Sequence, residues 1–191
     1  LRPERVMVIG HDETARAVAD LLQVPGRLPE TRQVTLVAAP TPAGVAAAAA
    51  AMFPRHTPVA YVMTYQDSES VVTAAALLAQ APGPVLIAHY GSVPQETAVA
   101  LATLAPRRLV LIGDHRKLTD QVVQRLTRYA GAGVSEPATR VLTGPRDTSV
   151  LLSARHGGEV REEYLVSVAD PAGAVAAAPV AARVGAPVLV T

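Results

Sequence analysis

Residues 61–88 read YVMTYQDSESVVTAAALLAQAPGPVLIA, and residues 164–191 read YLVSVADPAGAVAAAPVAARVGAPVLVT. Laid over each other without a gap, 103 positions apart (61 to 164), they share Tyr61/Tyr164, Asp67/Asp170, Val72/Val175, Pro84/Pro187, Val85/Val188 and Leu86/Leu189. Further alanine matches carry little weight, because alanine-rich helices supply them by chance. The start of the chain obeys the same offset, with Leu1/Leu104, Pro3/Pro106, Arg5/Arg108, Ile9/Ile112 and Gly10/Gly113. Two separate segments sharing one shift, with matched Tyr, Asp, Pro and Gly, read as a tandem repeat, and the repeat unit decides the fold.

Working outward, short apolar runs fall at 6–9, 34–38, 59–64, 85–88, 109–112, 140–142, 164–168 and 188–190. They are apolar throughout rather than alternating, as parallel strands covered on both faces are. Helical stretches lie between them near 13–23, 42–53, 68–80, 94–104, 117–129, 146–156 and 171–183. Thr41-Pro42 and Asp170-Pro171 place a capping oxygen before a proline at the first helical position, and Asp67-Ser68 offers capping oxygens too. Strict alternation predicts an α/β fold, mainly parallel sheets flanked by helices with right-handed crossovers. The repeat frame divides the chain into the second half of a repeat (1–30), a full repeat (31–133) and the first half of another (134–191). Either the chain is cut from a longer array, or 134–191 packs with 1–30 to complete a second unit.

Composition narrows the function. Lys+Arg 17 against Asp+Glu 16 leaves a net charge of +1, without the basic stripe that nucleic-acid binding needs. Cysteine is absent, which excludes disulfides, zinc–thiolate sites and cysteine nucleophiles. No apolar run approaches the roughly 20 residues required to cross a bilayer, so no membrane insertion is expected within this chain. Aromatic residues make up 3% of the chain, with no Trp and one Phe, so a sugar-stacking platform is poorly supplied. No phosphate-binding glycine loop follows a strand and no Gly-x-Ser-x-Gly elbow occurs, which leaves nucleotide-fold or hydrolase chemistry without a signature. The five histidines do not cluster, and neither a metal nor a cofactor is expected.

The repeat resembles a known family. Tyr164 to Thr191 is similar to the central signature of the bacterial cell-wall-binding repeat, type 2, in which a strand, an Asp-bearing loop, an "ALAAAPLAA" helix and "GAPILLT" follow one another. Ser92-Val93-Pro94 through Leu104, then Arg108 to Gly113 and the helix to Leu126, resemble that family's "LP…T…L…L…VYIIGG…V…L". Gly144 to Ser149 stands where the family has "GADRYxTA". The sequence departs from the pattern at His11 and Asp114, which replace a second Gly, and in the shortened element around Arg146. The Asn-Phe that usually accompanies the loop Asp is also missing. The resemblance implies tandem Rossmann- or Toprim-like units that occur in surface and S-layer proteins. It further implies non-catalytic attachment to an anionic cell-wall polymer, and an extracellular place in the wall or envelope of a bacterium.

In open parallel sheets, ligands sit beyond the carboxyl ends of the strands, where loops lead into helix N-termini whose N–H groups favour anions. The candidate ligand-binding residues on those loops are Gly10, His11, Asp67, Ser68, Gly113, Asp114, Arg116, Arg146, Asp147 and Asp170. Arg116 and Arg146 suit bidentate contacts to phosphate or carboxylate. Asp67 and Asp170 read equally well as simple helix caps. Two other readings stand beside polymer attachment. One is a scaffold or assembly domain of an envelope complex that has lost polymer binding; the other is a small-ligand-binding α/β enzyme or sensor. Alanine-rich helix faces offer surfaces for self-association or for other surface proteins.

Overall fold

A computed structural model describes residues 5–24, 33–64, 68–113, 116–131, 139–141, 145–154 and 161–191. The element order is β1 (Arg5–Gly10), α1 (Glu13–Gln23), β2 (Gln33–Ala38), α2 (Pro42–Ala50), β3 (Ala60–Thr64), α3 (Ser68–Gln80), β4 (Val85–Ala88) and α4 (Gln95–Leu104). It continues with β5 (Leu109–Ile112), α5 (Asp120–Ala130), β6 (Thr139–Val141), α6 (Pro145–Ala154), β7 (Tyr164–Val166), α7 (Pro171–Val184) and β8 (Val188–Val190). This is an α/β chain of parallel sheets flanked by helices, as the alternation of apolar runs predicts.

Helix starts are set locally by capping. Asp12, Thr41, Thr119 and Asp170 each accept a hydrogen bond from a backbone N–H three residues on, at 3.1, 2.9, 3.5 and 2.9 Å. Pro42 and Pro171 follow two of those caps in the first turn, where a missing N–H costs nothing. Gly185 ends α7 in the left-handed region, at φ 68°, and hands the chain to β8.

The strands form three sheets. β3 and β5 are the centre of a four-stranded sheet of order β4-β3-β5-β6, while β1–β2 and β7–β8 are separate parallel pairs. Among the described residues the two terminal pairs are not hydrogen-bonded to each other. β2 pairs with β1 and β6 with β5, so the strands group by sheet as 5–38, 60–141 and 164–190.

Alternate residues of the central strands feed two layers of core. Val62, Leu86, Leu109 and Leu111 pack with Leu101 of α4 and with Val122 and Leu126 of α5. Tyr61, Val110 and Ile112 face the other way, with Ala74 of α3. α3 in turn packs against α7 through small side chains, Ala75, Ala76 and Ala79 against Ala174, Ala178 and Ala181. Alanine allows that close approach, and this is how a chain so poor in aromatics closes its interior. The bounds of α2 and α6 (42 and 145) and of α3 and α7 (68 and 171) start 103 positions apart. Tyr61 lies opposite Val85 and Tyr164 opposite Val188, the same register in both β-α-β units.

Candidate functional site

Because every strand pair is parallel, all strand tips of one sheet point the same way. β5 is flanked by β3 and β6, so the carboxyl ends of these three strands lie side by side. Ser68, Gly113, Arg116 and Arg146 follow these strand ends in sequence. Ser68 opens α3 and is exposed; Arg116 and Arg146 are also exposed. Gly113 is buried at φ 139°, a conformation that suits glycine, with Leu118 beneath it. Arg146 stands in the first turn of α6, and its carbonyl accepts a hydrogen bond from Ser149 Oγ at 2.8 Å.

The remaining candidates lie elsewhere. Gly10 and His11 follow β1, on the N-terminal pair of strands, and a side chain at Gly10 would run into Ala15. Asp170 precedes α7 on the C-terminal pair, where Oδ1 accepts from Gly173 N at 2.9 Å. Asp67 and Asp114 lie outside the described residues, as does the side chain of Asp147 within α6. The seven described candidates are therefore spread over three sheets, and four of them follow strands of the central one.

A polar group that sequence reasoning passed over joins α2 to α4. Thr41 Oγ1 accepts from Gly44 N at 2.9 Å and donates to Glu96 Oε1 at 3.0 Å, across 55 residues. The Glu96 carboxyl is held below the ordinary carboxylate range, first by its own backbone N–H, then by Thr41, with His89 adding attraction. His89 sits in a tight turn, bridged to Ser92 by N–H···O bonds of 3.1 and 3.3 Å around Gly91 at φ 72°. Only the Ser/Thr-Pro spacing at Thr41 hinted at this group.

Among the described residues, two clefts lie between helices. One of about 660 Å³ runs between α2 and α4, past Phe53, Arg55 and Glu96. The other, about 540 Å³ and almost wholly apolar, lies between α3 and α7. None of the described candidates lines either cleft. Among the described residues no three of His, Cys, Asp and Glu gather as metal ligands would, and no helix is long and apolar enough to cross a membrane.

No protein-family profile matches the chain, and no curated relative matches it. Solved structures do. Cwp6 from Clostridium difficile matches with a TM-score of 0.75 at 19% identity, over 100% of this chain and 30% of that one. Cwp8 from the same organism matches with a TM-score of 0.75 at 15% identity, over 100% of this chain and 32% of that one. The likeness is one of fold. This chain spans about a third of the length of either protein.

Proposed function

We propose that this chain is a non-catalytic attachment module of a bacterial cell envelope, and that the tip of its central sheet contacts an anionic wall polymer. The observation that carries the reading is the placement of Arg116 and Arg146. Both are exposed, and they follow adjacent parallel strands, β5 and β6. Two guanidinium groups, one between β5 and α5 and one in the first turn of α6, suit repeated phosphate or carboxylate groups along a polymer. The fold likeness to Cwp6 and Cwp8 supports a cell-wall-associated setting.

Retention of the chain on purified cell walls, before and after extraction of their anionic polymers, tests this reading. Binding should fall with extraction and with rising salt. Arg116→Ala and Arg146→Ala should each weaken it roughly tenfold, the equivalent of about 1.4 kcal/mol. Retention that ignores salt, extraction and both substitutions would favour a scaffold that has given up polymer binding. One set of observations supports that second reading. Glu69 and Asp120 already place negative charge in the first turns of α3 and α5, and Asp170 caps α7, so these helix ends are partly satisfied without a ligand.

A further inference from the structure

Helices α2 and α4 run side by side in the same direction, and the cleft of about 660 Å³ lies between them. Their starts are joined by the Thr41–Glu96 hydrogen bond. Their ends are joined where His56 N, beyond α2, donates to the Leu104 carbonyl at 2.7 Å. All the lining residues lie between Ala47 and Leu104, so both walls are complete and far from either end of the sequence. Much of the lining is apolar. Ala47 and Ala51 stand on the α2 side and Val99 on the α4 side, with Phe53, the single Phe of the chain, beside them. Phe53 is 38% exposed and Val99 58%, apolar surface that the protein itself leaves uncovered. The two ends carry opposite charge. Glu96 stands in the first turn of α4, and its carboxyl, held low first by its own backbone N–H and then by Thr41, is ionised at neutral pH. Arg55 lines the other end, next to His56, and its exposed guanidinium has no partner among the described residues.

We propose that this cleft binds a short free peptide of about three residues with small apolar side chains, its terminal ammonium on Glu96 and its terminal carboxylate on Arg55. Length supports the match. From Glu96 to Thr103, which lines the cleft near its Arg55 end, the helix rises about 10 Å. An extended peptide covers about 3.3–3.6 Å per residue, so three residues span the same distance. A guanidinium suits a carboxylate through two parallel hydrogen bonds. The α4 carbonyls that would oppose a carboxylate at that end are engaged, Leu101 with Ala105 N and Leu104 with His56 N. The mixture of an apolar lining with two placed charges is that of a small-ligand site, and so is the volume. This inference goes beyond polymer attachment at the strand tips and does not rest on it.

With one Phe in the chain, ring-labelled phenylalanine gives a single NMR reporter in the cleft. Titration with alanyl-valyl-alanine, both ends free, should shift that signal with a Kd of about 0.1–1 mM. Acetylating the amine or amidating the carboxylate should each weaken binding about fivefold. Glu96→Gln keeps an acceptor for Thr41. It should weaken the free peptide about fivefold and leave the acetylated one within about twofold of its parent value. Arg55→Gln should do the same for the free and amidated peptides. Phe53 also borders the α3–α7 cleft, and these paired responses assign the shift to the cleft between α2 and α4. Ala51→Leu, at an exposed position, narrows the cleft without touching either charge and should weaken every form of the peptide. A reporter that does not move at about 10 mM peptide, or binding that ignores both the blocked ends and the charge variants, would overturn the proposal. So would a peptide blocked at both ends that binds as tightly as the free one, since that result belongs to an internal segment of a partner protein.

Discussion

Tyr61 and Tyr164 stand at the same register position of two β-α-β units, and their surroundings differ completely. Their N–H groups donate to Pro84 and Pro187 carbonyls at 2.9 and 3.1 Å. The Tyr61 ring is buried, with its hydroxyl donating to the Ala81 carbonyl at 2.7 Å, while the Tyr164 hydroxyl donates to the exposed Glu162 Oε2 at 3.2 Å. Identical backbone pairing therefore does not dictate identical burial. What differs is the neighbour: β3 has β5 beside it, and β7 has no counterpart among the described residues.

The buried tyrosine sets an alkaline limit. Burial pushes the Tyr61 phenol up to about 12, against a smaller downward pull from Arg108. The unfolded chain releases this proton near pH 10 and the folded chain near 12, so between those values the unfolded state holds fewer protons. Stability from this group is complete below pH 10 and is lost as pH rises towards 12. Urea titrations of Tyr61→Phe should show a lower stability at pH 7, by about 1 kcal/mol for the lost hydrogen bond. They should also show a shallower decline than the parent chain between pH 10 and 12. Equal slopes would place the titration elsewhere.

Ser149 ties α6 to the last strand. Its Oγ accepts from Val190 N at 3.0 Å and donates to the Arg146 carbonyl at 2.8 Å, in a buried position 41 residues from Val190. Ser149→Ala leaves a buried N–H without its acceptor, and should cost about 1–3 kcal/mol in chemical unfolding. Hydrogen exchange at Val190 should accelerate in the same variant while exchange at Leu86 in β4 is unchanged. A change spread evenly over both strands would speak against so local a role.

The order of elements was legible because its signals are local. Proline after a capping oxygen starts α2 and α7, and uninterrupted apolar runs mark the buried strands β3 and β5. The grouping of strands into three sheets was not legible, because parallel strands pair across long connections and an apolar run does not name its neighbours. The runs around Met7 and Leu165 look as buried in sequence as those around Val110 and Val62, yet they are exposed. The candidate site suffered in the same way. Strand-tip residues could be picked out by type, but their division among three sheets depends on pairing. Thr41 and Glu96 meet across 55 residues, a contact for which no spacing rule exists.

That contact makes Thr41 doubly placed, as a helix cap and as a donor to Glu96. Thr41→Val should cost about 1 kcal/mol through the lost cap, read in thermal or urea unfolding. It should also let the Glu96 carboxyl rise towards the ordinary carboxylate range, since Thr41 is among the groups that hold it down. A lowered carboxyl contributes stability above its unfolded value that disappears as pH falls through its folded value. The stability difference between parent and Thr41→Val should therefore be larger at pH 7 than at pH 3. NMR titration of the Glu96 side chain checks the upward shift directly.

Gly83 and Ala186 are equivalent positions with opposite demands. Each precedes a proline that leads into a strand, Pro84 before β4 and Pro187 before β8. A Cβ built on Gly83 would come within 2.5 Å of the Val59 carbonyl oxygen and 3.1 Å of Val59 Cγ1. The clash is with backbone entering β3, so the strand itself would have to shift. Ala186, by contrast, already carries its methyl inside the α3–α7 core and is 5% exposed. Gly83→Ala should therefore cost more than the about 1 kcal/mol separating Ala from Gly in backbone freedom, and in the unfavourable direction. Ala186→Gly should cost about 1–2 kcal/mol, from a lost buried methyl and a freer unfolded chain. Parallel urea denaturation of the two variants decides the matter: a Gly83→Ala chain as stable as its parent would mean that Val59 and the start of β3 yield far more readily than a strand buried at the centre of this sheet should.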